Sequence, residues 1–117
     1  MNNQQVILLV QLQAKADKVE QLKQETLNVI PQVLEEWACV SIKLHQNPED
    51  LSQLMLYETW ADKDFLLSDE HRESHYMTAY FQNIESLLAE PAQWTIWESI
   101  SVQKSAYSNQ NSSFATD

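Results

Sequence analysis

The chain has 117 residues, 44% of them hydrophobic, and its 7 basic and 17 acidic side chains leave a formal charge of −10. That length fits one folded domain, and acidity spread over both halves repels phosphate backbones and anionic lipid, so neither nucleic acid nor membrane is an expected partner. The sequence has no glycine, which excludes the Gly-rich loops that cradle phosphates in P-loop and dinucleotide-binding proteins.

Residues 6–13 read as a strand with Val6, Leu8, Val10 and Leu12 on one face and Ile7 and Leu9 on the other. Apolar character on both faces places it centrally in a sheet. The same stretch holds the longest apolar run, Val6 to Val10, far too short to span a membrane. Residues 16–36 read as a helix, with Val19, Leu22, Thr26, Val29, Ile30, Val33 and Trp37 at helical spacing. Asp17 is its candidate N-cap or first-turn acid, and Pro31 predicts a kink or restart. Glu35 and Glu36 sit at its C-terminal end, where acids oppose the helix dipole.

Residues 39–46 and 53–60 alternate as strands. Val40, Ile42 and Leu44 share one face of the first; Leu54, Leu56, Glu58 and Trp60 share one face of the second. Asn47-Pro48-Glu49-Asp50 between them has turn chemistry, so the pair reads as a hairpin. A helical region follows over about 62–89, with Asp62 and Ser68 or Ser74 as candidate N-caps. Met77, Tyr80, Phe81, Ile84, Leu87 and Leu88 form its apolar stripe, and Pro91 closes it. Residues 92–101 read as a last strand. Residues 1–101 are expected to form the domain, and 102–117 a polar tail.

The order β-α-β-β-α-β is that of the α+β, ferredoxin-like split βαβ fold. It predicts a four-stranded antiparallel sheet with the helices on one face. The other face would carry Ile7, Leu9, Met55, Tyr57 and Trp97, too apolar to stay wet, and a homodimer is the simplest cover.

Four groups could carry chemistry. Glu58 sits among aromatics near a strand end; it is either a paired structural carboxylate, bonding backbone or Arg72, or a wall of a ligand pocket that orients a histidine. His71 and His75 share a solvated face if one helix holds both; a break near Ser74 would instead let His71 point into a cleft as a general base. His71-Arg72-Glu73-Ser74-His75 lacks the Glu of the zincin pattern after its first His, so no metal is expected. Cys39, the single cysteine, forbids an internal disulfide, fits a reducing, cytoplasmic setting, and reads as a small buried apolar residue. His45, beside the turn, reads as a surface residue.

Glu36-Trp37-Ala38-Cys39-Val40, His45 through Asp50, Leu56-Tyr57-Glu58-Thr59-Trp60, His71-Arg72, Ser74-His75-Tyr76 and Tyr80 together resemble the antibiotic biosynthesis monooxygenase (ABM) domain family, its quinol-monooxygenase-like members above all. The resemblance covers about residues 6–100. It implies a dimeric α+β barrel of two sheets packed face to face, with a pocket between each sheet and its helices. It implies oxygenation of a small quinol- or anthrone-like aromatic by O₂ with no cofactor. On this pattern His71 would be the base and Glu58 its partner, with Trp60, Tyr57, His75 and Tyr76 as substrate-binding residues. The sequence departs from the family in carrying Ala38 for its usual Gly and in the spacing from Trp60 to the histidines. Two alternatives stand beside this reading. One is a non-catalytic dimeric ligand-binding module. The other is a haem-binding or haem-degrading relative, against which Val10 stands where that branch has Asn.

Overall fold

The computed structural model describes residues 5–107. The elements are β1 (Val6–Gln13), α1 (Val19–Leu34), β2 (Cys39–Asn47), β3 (Asp50–Trp60), the short helices α2 (Lys63–Leu66) and α3 (Asp69–Arg72), α4 (His75–Glu85) and β4 (Gln93–Glu98). The sheet is antiparallel in the order β2-β3-β1-β4, the expected ferredoxin-like arrangement with β1 inside it. Val6, Leu12, Leu54, Leu56 and Trp60 on one sheet face pack against Leu22, Val29 and Val33 of α1 and Tyr80 and Ile84 of α4, forming the core.

Local chemistry sets the boundaries. The β2–β3 hairpin turns through Pro48 and Glu49, and the Asn47 side-chain oxygen accepts from the Glu49 amide at 2.9 Å. Among the described residues none has positive φ, so every turn is made without the left-handed conformation that glycine would supply. Helix α1 begins at Val19 after Lys18, without a side-chain cap; Asp17 lies outside it and does not serve as N-cap. The helix runs through Pro31 to Leu34 without restarting. One lost backbone bond is tolerated there because Val29 and Val33, on either side, are buried against the sheet.

The single helical region expected over 62–89 is three helices. The serines and aspartate that offered alternative caps all act as caps: Asp62 accepts from the amides of Asp64 and Phe65, Ser68 from His71, and Ser74 from Met77. Three caps within 13 positions mean three helix starts, because each side chain competes for backbone amides that an unbroken helix would bond internally.

A register shift between Cys39 and Ser41 is the other departure from simple alternation. It leaves Val40 half exposed and packs Cys39 against the core, the reverse of the alternation in the sequence. β4 is shorter than expected, and Ile100 is fully exposed. Residues 108–117 of the polar tail lie outside the described residues.

Candidate active site

The inner sheet face and the helices enclose a cavity of about 270 Å³. Leu8, Val10, Leu12, Ile42 and Leu56 form its floor, and Val29, Ile30 and Val33 of α1 one wall. Met77, Tyr80 and Phe81 of α4 form the other wall. The ionisable groups in this lining are Glu58, His71, Arg72 and the Tyr80 phenol. A mostly apolar cleft with a few convergent polar groups is the usual form of a small-molecule site.

His71 reaches this cavity because Ser68 starts α3 and Ser74 ends its run, so the ring is not carried round to solvent on a longer helix. Its side chain is nearly buried, and its Nδ1 lies 2.7 Å from Oε1 of Glu36. The other oxygen of that carboxylate accepts from the Tyr76 hydroxyl. Desolvation and the Glu36 carboxylate push the Tyr76 phenol up to about 12, so it stays protonated and donates at neutral pH. With Nδ1–H directed at Glu36, the neutral ring carries its lone pair on Nε2.

The partner of His71 is therefore Glu36 and not Glu58. Glu58 is buried and its Oε1 accepts from Nε1 of Trp60 at 2.8 Å. Burial pushes the Glu58 carboxyl up to about 7; the Trp60 N–H offsets part of that rise and Glu36 adds to it. The reading of Glu58 as bonded to backbone or Arg72 also gives way to this Trp60 bond. Trp60 itself is fully buried, with its ring 4.8 Å from that of His71. It supports both residues from behind and does not line the cavity.

The remaining candidates separate. Tyr57 pairs with Leu9 and sits an odd number of residues from Glu58 and Trp60, so it lies on the opposite sheet face and cannot wall this pocket. His75, in the first turn of α4, is exposed and rests edge-on against Tyr76. Tyr76 binds Glu36 and is absent from the cavity lining. Cys39 has its thiol pushed up to about 12 by burial and by Glu58 and Glu36, which makes it a poor nucleophile. His45 is exposed, as the sequence suggests.

Glu36 is the functional candidate the sequence reading missed. Its place at a helix end marked it as a mild mismatch with the dipole. The available signal was that two adjacent acids at a helix C-terminus invite a compensating partner. No group of three or more His, Cys, Asp or Glu that could hold a metal ion occurs among the described residues. No described helix is long and apolar enough to cross a membrane.

A ferredoxin-like sheet with a helix-roofed apolar pocket, and a buried histidine at its rim, defines the class. The chain belongs to the antibiotic biosynthesis monooxygenase family, whose sequence profile matches residues 5–89. Solved structures of the same fold include a Nitrosomonas europaea protein provisionally named as an antibiotic biosynthesis monooxygenase. It has a TM-score of 0.77 and 20% identity, covering 86% of this chain and 94% of that one. PA3566 of Pseudomonas aeruginosa is similar, with a TM-score of 0.77 and 19% identity over 86% and 99%. A structure named as antibiotic biosynthesis monooxygenase gives 0.74 and 14% identity over 82% and 99%. At these identities the likeness speaks for the fold. No protein of curated function matches the chain.

Proposed function

We propose that the chain is a cofactor-independent monooxygenase that acts on a small quinol- or anthrone-like aromatic with O₂, as a homodimer. The observation that carries this reading is the His71 ring, held through Nδ1 by Glu36, at the edge of an apolar cavity of about 270 Å³.

The chemistry needs a base and a dry pocket. Nε2 of His71 removes the acidic proton of the bound substrate. The resulting anion gives one electron to O₂, and the two radicals combine into a carbon-bound peroxide. Nε2 returns its proton to the peroxide, and loss of water, which takes the remaining hydrogen of that carbon, leaves a carbonyl, with one oxygen atom in the product and the other in water. Glu36 holds the ring and balances the imidazolium that forms, the role first sought in Glu58. Apolar residues of β1, α1 and α4 would hold the aromatic rings.

A cavity that remains open, with His71 and Glu58 in its lining, favours turnover over a purely structural module. The test is oxygen uptake by metal-stripped protein with a panel of hydroquinones and anthrones. Uptake above the autoxidation blank, lost in His71→Ala, is the expected result. Uptake at the blank rate with every substrate would leave a ligand-binding module on the same fold.

A further inference from the structure

We propose that the pocket also catalyses proton transfer at the carbon beside the carbonyl of an apolar cyclic ketone, with His71 taking the proton and Glu58 bonding the carbonyl oxygen. This activity shares His71 with the oxygenase reading but requires no oxygen, so either can fail alone.

The two groups converge on one space. Both line the same cavity, and both rest on Trp60. The indole N–H is 2.8 Å from Glu58 Oε1, and the indole ring is 4.8 Å from the His71 ring. Each then has one polar atom left, because Nδ1 of His71 is taken by Glu36 and Oε1 of Glu58 by Trp60. Among the described residues no buried side-chain nitrogen or oxygen lacks a partner. Nε2 and the second Glu58 oxygen, which bond no side chain among the described residues, are therefore not sealed in, and the cavity both residues line gives them an opening.

A base and a hydrogen-bond donor facing one apolar space are what enolisation requires. Burial raises the Glu58 carboxyl to about 7, so below that pH it is mostly protonated and can offer an O–H to a carbonyl. The titratable groups around it are Glu36 at the end of α1, Cys39 on β2, His71 on α3 and Tyr80 on α4, with Arg72 on the same cavity. Cys39 and Tyr80 are both pushed up to about 12 by burial first and stay uncharged near neutrality. In the step, the C–H bond breaks and its proton goes to Nε2. The bond pair becomes the new C=C, and the carbonyl becomes an enolate oxygen held by the Glu58 O–H. Return of a solvent-exchanged proton from Nε2 to the same carbon restores the carbonyl and completes the exchange, with nothing oxidised or reduced.

The experiment uses the full chain in D₂O under argon, with 2-tetralone and 2-indanone as probes and loss of the α-proton NMR signals as readout. The expected result is exchange about a hundredfold above the buffer blank, removed in His71→Ala and in His71→Gln, which keeps a donor for Glu36. The wild-type rate should fall as pH rises above about 7. Glu58→Gln should lose that fall, because its amide donates at every pH. Exchange at the blank rate with both ketones, by protein with a native circular-dichroism spectrum, overturns the proposal. So does exchange that survives both His71 substitutions. Oxygen uptake measured in parallel with hydroquinones tests the oxygenase reading separately.

Discussion

Oε1 of Glu36 lies 2.7 Å from Nδ1 of His71 across 35 residues of sequence, and the Tyr76 hydroxyl occupies the other oxygen of the same carboxylate. One side chain thus ties the end of α1 to α3 and to the first turn of α4. Glu36→Gln keeps the size but can present an N–H to Nδ1, which puts the lone pair on the wrong nitrogen. Turnover in the oxygen-uptake assay should drop about a hundredfold or more with little change in KM. Glu36→Ala strands the nearly buried His71 Nδ1 and removes the partner of the part-buried Tyr76 hydroxyl, and should cost about 1–2 kcal/mol in urea unfolding. Unchanged turnover in Glu36→Gln would remove Glu36 from the positioning role.

The buried carboxyl of Glu58 makes stability depend on pH. Its folded-state value is raised from 4.5 to about 7, so between those values the folded chain binds more protons than the unfolded one. Stability from this group is therefore highest below about 4.5, falls as pH rises to about 7, and is flat beyond. The full penalty on the charged form is of order 3 kcal/mol. Glu58→Gln, whose amide oxygen can still accept from Trp60, should be more stable than the wild type at pH 8 and close to it at pH 5. Urea melts at the two values measure this, and equal differences at both would contradict a raised Glu58.

Much of this was legible in the residues. Period-two alternation from Val6 to Leu12 located the central strand, and turn chemistry at Asn47-Pro48 located the hairpin, because both signals are local. Ser68 and Ser74 were readable as caps, but which caps were used depends on whether His71 gains more from burial beside Trp60 than from solvent. That is a tertiary question. The Glu36–His71 pair joins elements 35 residues apart, and nothing local announces it. Tyr57 is different: its odd spacing from Glu58 already placed it on the opposite face, and grouping it with the pocket ignored that parity. The Val40 register shift was also hidden, since Val40 continued the apolar alternation.

Thr26 and Tyr80 make a buried hydroxyl pair, 2.9 Å apart, between α1 and α4, and the two substitutions that break it should be unequal. Thr26→Val leaves the Tyr80 hydroxyl without its partner, at about 1–2 kcal/mol. Tyr80→Phe leaves a threonine hydroxyl that can turn to a carbonyl one turn back in its own helix, so it should cost less than about 1 kcal/mol. Chemical denaturation of the two variants measures the difference, and a costlier Tyr80→Phe would show that the pair is not held as described.

The open sheet face carries the homodimer part of the proposal. Ile7 and Leu9 of β1 are paired there with Thr59 and Tyr57 on one side and Trp97 and Thr95 on the other. Tyr57 and Trp97 are 38% and 57% exposed, a share of apolar surface that a second copy of the sheet would cover. Light scattering should give twice the 13.6 kDa chain mass. Leu9→Glu places a charge at the centre of that face and should return the mass to one chain without unfolding it. Because each copy carries a formal charge of −10, added salt should tighten association by screening the repulsion between like-charged copies. A single-chain mass at high salt and high concentration would rule the dimer out and leave the face to another partner.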